Sequence, residues 1–166
     1  MFTEKVKEHF RYLIDDYGFS IVNESYTTDS GNGLVEFRSR SVHIRIVLDR
    51  GQVLIDIGPS PEVLDYWFDL SSVIEFLSPE AHEPAYIFPE KWDNYYEMID
   101  WQVARLARVL RQYCVSVLTR EFPDWRELLE RNQKEAEEVY KTLTGKASIK
   151  GSLKEFHEEI QRRRKK

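Results

Sequence analysis

A chain of 166 residues with 42% hydrophobic and 13% aromatic content can bury a sizeable core, so a disordered chain is excluded and one domain is expected. Its net charge of -5 is uneven: eight Lys or Arg against three Glu from Lys146 to Lys166 leave the rest at -10, which disfavours phosphate binding by the body of the protein. The single Cys114 excludes an internal disulfide and agrees with a reducing compartment, and no apolar run nears the roughly 20 residues of a membrane span, so a cytoplasmic protein is expected.

Residues Phe2 to Tyr17 place Val6, Phe10, Leu13, Ile14 and Tyr17 at helical spacing, which predicts an amphipathic helix and not a signal peptide. Gly18 is its stop, and Phe19 to Tyr26 reads as a first strand. After the loop Thr27 to Asn32, the run Gly33 to Ser39 reads as a second strand. Ser41 to Gly58 then predicts a hairpin turning at Arg50-Gly51, where glycine supplies positive φ. Counting outward pairs Leu48 with Val53, Ile46 with Ile55 and Ile44 with Ile57, an aliphatic face that the N-terminal helix would cover. If Arg40-Ser41 is a second tight turn, Phe37 meets Ile44 and Val35 meets Ile46. The opposite face then gains a Glu36, Arg45, Asp56 row across three strands, with Arg38 opposite His43.

Beyond Gly58 the spacing predicts a short helical turn through Leu64 after Ser60-Pro61-Glu62, then a helix Leu70 to Leu77 capped by Asp69. Glu80 to Lys91 is a proline-containing loop. A long helix follows Asp93 or Asn94, with Tyr95, Ile99, Val103, Leu106, Leu110, Tyr113 and Val117 as its core stripe and Arg105, Arg108 and Arg111 along a solvated side. Pro123 opens another helix with Trp125, Leu128, Leu129, Ala136, Val139, Tyr140 and Leu143 on one face, and the two are read as an antiparallel pair. Thr144 to Ser152 reads as a linker before a basic, weakly helical tail.

The fold class expected is α+β: an N-terminal helix on a four-stranded antiparallel meander, then short helices and a long C-terminal helical hairpin. Residues 1–144 form one domain, with helix and sheet in 1–58 and a helical part in 59–144, and 145–166 is a flexible tail.

Three chemistries compete. Glu36 and Asp56 with His43 could serve a metal-dependent hydrolase or nuclease, but an arginine between two carboxylates holds them ionised and makes an ion ladder of them. The basic tail could touch nucleic acid, and a solvated terminus explains it more simply. Neither the isolated histidines nor Cys114, set in an apolar helix, forms a metal or nucleophile motif, and no phosphate loop or cofactor motif is present; no cofactor is expected. The third chemistry is protein binding: Tyr66 and Trp67, in the aromatic run Tyr66-Trp67-Phe68, and the row Glu36, Arg45 and Asp56 are the candidate partner-binding residues.

The helix ending in Asp16-Tyr17-Gly18-Phe19, the strand Val35-Glu36-Phe37-Arg38-Ser39, the turn Asp49-Arg50-Gly51 and the segments Ile55-Asp56-Ile57-Gly58 and Asp69-Leu70 resemble the small bacterial α+β proteins grouped with immunity proteins of toxin systems. The resemblance covers residues 8–77, under half of the chain, and rests on turns and core positions. It implies a small cytosolic protein that acts by binding another protein. An acidic body would steer toward a basic partner, and the reading favours a non-enzyme, with self-association compatible and no membrane partner.

Overall fold

The computed structural model describes residues 1–27, 31–60, 66–81, 83–87, 92–119 and 122–144. These residues carry five strands in one antiparallel sheet and six helices, a mixed α+β arrangement. The expected helical turn through Leu64 and the tail 145–166 lie outside the described residues. The chain divides into two compact units, Met1–Pro123 and one beginning at Asp124.

Strands β1 (Ser20–Thr27), β2 (Asn32–Arg38), β3 (Val42–Asp49), β4 (Gln52–Pro59) and β5 (Phe68–Asp69) lie in chain order. The register is the one the apolar alternation demands. Val35, Ile46 and Ile55 align across β2, β3 and β4, as do Phe37, Ile44 and Ile57, and all are fully buried. Arg50 and Gly51 take φ of 48° and 82°, so the β3–β4 turn bends with the right-handed twist of its strands. At Arg40-Ser41 the turn is closed differently: Val42 N donates to Ser39 Oγ at 3.1 Å, a serine oxygen standing in for a backbone carbonyl.

The meander has a fifth strand where four were expected. Phe68 pairs with Ile57 and Asp69 with Asp56, and two residues are too few to leave an alternation in the sequence. Asp69 also caps α3 (Leu70–Leu77), accepting from Ser71 N at 2.8 Å. In β1, Ile21 pairs with Phe37 and Asn23 with Glu36, so Val22 is extra to the ladder.

The N-terminal helix is two pieces, α1 (Phe2–His9) and α2 (Arg11–Asp15), because Phe10 leaves helical geometry while staying fully buried. The 3.6-residue rhythm runs through the break, which hides it in sequence. Likewise α4 (Tyr95–Tyr113) ends at Cys114 and α5 (Val115–Thr119) restarts, where one helix was expected. Cys114 is buried and its thiol is pushed up to about 12 by loss of water, so it is a core residue. α1 packs on β1, β2 and α4, and α4 packs on β4. Tyr12 Oη donates to the Ala107 carbonyl at 2.9 Å, Lys5 and His9 meet Asp100, and Arg111 meets Asp16, tying both α1 and α2 to α4.

The β4 edge is closed by side chains. β5 covers only Asp56 and Ile57; Tyr86 Oη accepts from Ile55 N and donates to Ile55 O, each at 3.1 Å, while Gln102 of α4 accepts from Val53 N at 3.1 Å and donates to Gly51 O at 2.9 Å. Tyr86 is held by the segment 83–87, and that segment is held by Arg105. This arginine, expected on a solvated side, is 9% exposed, and its guanidinium donates to the carbonyls of Pro84 and Ala85 and pairs with Glu83 at 3.4 Å; Arg108 pairs with the same Glu83.

In the second unit the described element is α6 (Trp125–Thr144). Trp125 and Leu128 are buried, whereas Val139 and Leu143, expected on the same apolar face, are exposed.

Candidate functional site

The outward face of the sheet carries the residues that the sequence singles out. The outward residues of β2, β3 and β4 include an apolar row of Leu34, Val47 and Leu54 and a charged row of Glu36, Arg45 and Asp56, all half-buried. The charged row continues to Asp69 on β5. Arg45 gives its ion pair to Asp56, Nη2 to Oδ2 at 2.8 Å, and its Nε has no hydrogen-bond partner. The row is therefore one ion pair with Glu36 beside it, in place of the expected continuous ladder. Glu36 and Asp56 sit two strands apart, about 10 Å, too far to share one ion.

Trp67 lies over this row. Its ring lies against the Arg45 guanidinium, 3.9 Å from the centroid, and against the His43 ring at 4.7 Å in a tilted arrangement. The close approach depends on Gly58: any Cβ there would press into the Tyr66 backbone carbonyl, so only glycine lets the chain before β5 cross β4 so tightly. The Tyr66 ring packs on Phe68 at 4.8 Å, and burial pushes its phenol pKa up. The structure thus brings Trp67, Arg45, Asp56 and His43 together, holds Tyr66 beside them against the core, and leaves Glu36 at the margin.

Burial raises the pKa of the Asp56 carboxyl, Arg45 opposes that shift, and neighbouring Asp69 adds to it, so the arginine does not fully offset the loss of water. His43 is 5% exposed with neither ring nitrogen hydrogen-bonded. Burial lowers its pKa, Arg38 and Arg45 lower it further, and Glu36 opposes them. Because the folded protein holds His43 neutral while the unfolded chain protonates it near pH ~6.5, its contribution to stability is complete above that pH and is lost as pH falls below it. Between neutral and mildly acidic pH the wild type should therefore lose thermal stability relative to His43→Leu, whichever of the two is the more stable at neutral pH. Parallel curves would contradict this.

Among the described residues no three His, Cys, Asp or Glu side chains converge as metal ligands. No helix among them is long and apolar enough to cross a membrane.

A second surface was not singled out in the sequence. Trp92, Tyr95, Tyr96 and Trp101, around the start of α4, are exposed, although Tyr95 was expected in the core stripe. Asn94 caps this helix, accepting from Tyr96 N at 2.9 Å, and Trp92, two residues before the cap, lies ring to ring with Trp101 at 5.8 Å. The available signal was aromatic residues interleaved with acids in Trp92-Asp93-Asn94-Tyr95-Tyr96-Glu97. Set against family models, curated proteins and solved structures, the chain matches none.

Proposed function

We propose that the chain is a non-enzymatic protein-binding module, an immunity-type inhibitor or adaptor, whose N-terminal helix and meander form a scaffold for contact with a basic protein. One observation carries this reading: the outward sheet face sets an apolar row, Leu34, Val47 and Leu54, beside charged side chains and a half-buried tryptophan. Apolar centre, ionic flank and aromatic anchor are the composition of a contact surface. The acidic balance of residues 1–145 supports a basic partner through faster, better-oriented encounter. A cytoplasmic setting fits the lone buried thiol.

Affinity capture at moderate salt, with metal analysis of the same sample, tests it. Wild type should retain a basic protein stoichiometrically, and Val47→Glu should lose it while still unfolding in one cooperative transition. A bound divalent metal with hydrolysis abolished by Asp56→Ala would transfer the function to Glu36, Asp56 and His43. Salt-sensitive nucleic-acid binding removed with residues 145–166 would transfer it to the tail.

A further inference from the structure

Most carboxylates around α1 and α4 are already answered by a cation: Asp100 by Lys5 and His9, Asp16 by Arg111, Glu83 by Arg105 and Arg108. Asp93 and Glu97 are different. Both are exposed, and neither is in an ion pair among the described residues; Glu97 only accepts from Asn94 Nδ2 at 3.4 Å. They flank an aromatic stretch of the surface, with Trp92 and Trp101 each 37% exposed, Tyr96 70% and Ile87 43%. Single exposed apolar side chains are ordinary, but a cluster of two indoles, two phenols and an isoleucine around one helix start marks a contact site. Glu97 stands one helical turn before Trp101, on the same face, so a carboxylate and the paired indoles are presented together.

We propose that this patch, centred on Trp92, Glu97 and Trp101, binds an arginine-rich segment of a basic protein. The inference rests on the reading of the chain as a protein-binding module and places a second contact on it, apart from the sheet face.

The ligand follows from the chemistry. A guanidinium stacks flat on an indole while its N–H fork reaches a carboxylate, a combination that a lysine ammonium meets only in part. The protein builds this arrangement within itself, where Arg45 meets both the Trp67 ring at 3.9 Å and the Asp56 carboxylate at 2.8 Å. At the start of α4 the indoles and carboxylates are present, and among the described residues no guanidinium is placed against them. Nucleic acid is disfavoured, because single-strand sites pair their aromatics with basic side chains and here the interleaved charges are acidic.

The full-length chain titrated into labelled oligo-arginine and oligo-lysine peptides of equal length provides the test, read by fluorescence anisotropy. Oligo-arginine should bind about tenfold more tightly than oligo-lysine. Trp92→Ala with Trp101→Ala should erase that preference, Glu97→Gln should weaken arginine binding several-fold with the aromatic packing intact, and Trp67→Ala should leave it unchanged. Equal affinity for the two peptides, or a preference that survives both patch variants, would overturn the proposal. If a captured partner is held equally well by the double tryptophan variant, this surface fails while the module reading stands. If the arginine preference holds and no protein is captured, the site stands and the module reading fails.

Discussion

Ile46→Ala is expected to cost about 2–5 kcal/mol of stability, the largest effect of any single substitution considered for this protein. Ile46 is fully buried on the central strand, with Val35 and Ile55 directly across from it on either side. Both neighbouring strands are pinned by their own ladders, so the surroundings have little freedom to collapse into the space left. In urea the midpoint should fall with the slope unchanged. Val47→Ala, one residue away on the half-buried outward face, should cost about 1 kcal/mol or less, since less apolar area is withdrawn from water there. Equal costs at the two positions would mean that the two faces of the sheet are assigned wrongly.

Arg105→Met should cost about 1–3 kcal/mol, against about 0–1 kcal/mol for Arg108→Met, although both arginines pair with Glu83. Methionine keeps the buried stem and removes the guanidinium, so the carbonyls of Pro84 and Ala85 lose their donor. Arg108 is exposed, and water replaces its pair at little cost. The loss should reach the sheet: once the segment 83–87 loosens, Tyr86 no longer holds both backbone groups of Ile55, and that amide should exchange with solvent faster in Arg105→Met than in Arg108→Met. Indistinguishable variants would show that the segment is held by something else.

The hairpin register was legible because an alternation of period two, repeated over three strands, has one solution that buries every isoleucine together. β5 was not legible, since two residues carry no period. Arg105 was misread for a related reason. Its helical position looks equivalent to those of Arg108 and Arg111, and only the path of a proline-containing loop decides that it alone meets carbonyls. The helix breaks at Phe10 and Cys114 fall at apolar positions that keep the stripe in phase, so the backbone departs from the helix where the pattern does not. Tyr95 failed in the opposite sense, because helical spacing places it on the stripe but the core ends one turn later, at Ile99. At the candidate site, the cross-strand order of Glu36, Arg45 and Asp56 could be counted from the hairpin turn, whereas the folding of Trp67 onto Arg45 and His43 depends on the absent side chain at Gly58, a three-dimensional fact with no periodic trace.

The side-chain closure of β4 makes the sheet directional. A strand donated by another molecule, whether a recognition peptide or a misfolded copy, needs a row of open amides and carbonyls. Beside β4 that row is taken up by β5, Tyr86 and Gln102, and β5 is itself only two residues long, so among the described residues the edge long enough to template growth is Ser20–Thr27. There the extra residue at Val22 throws the spacing of the row out of step. An incoming strand would find matched hydrogen-bonding positions on one side of Val22 or the other and not across it, which limits the length over which this protein can be extended edge to edge.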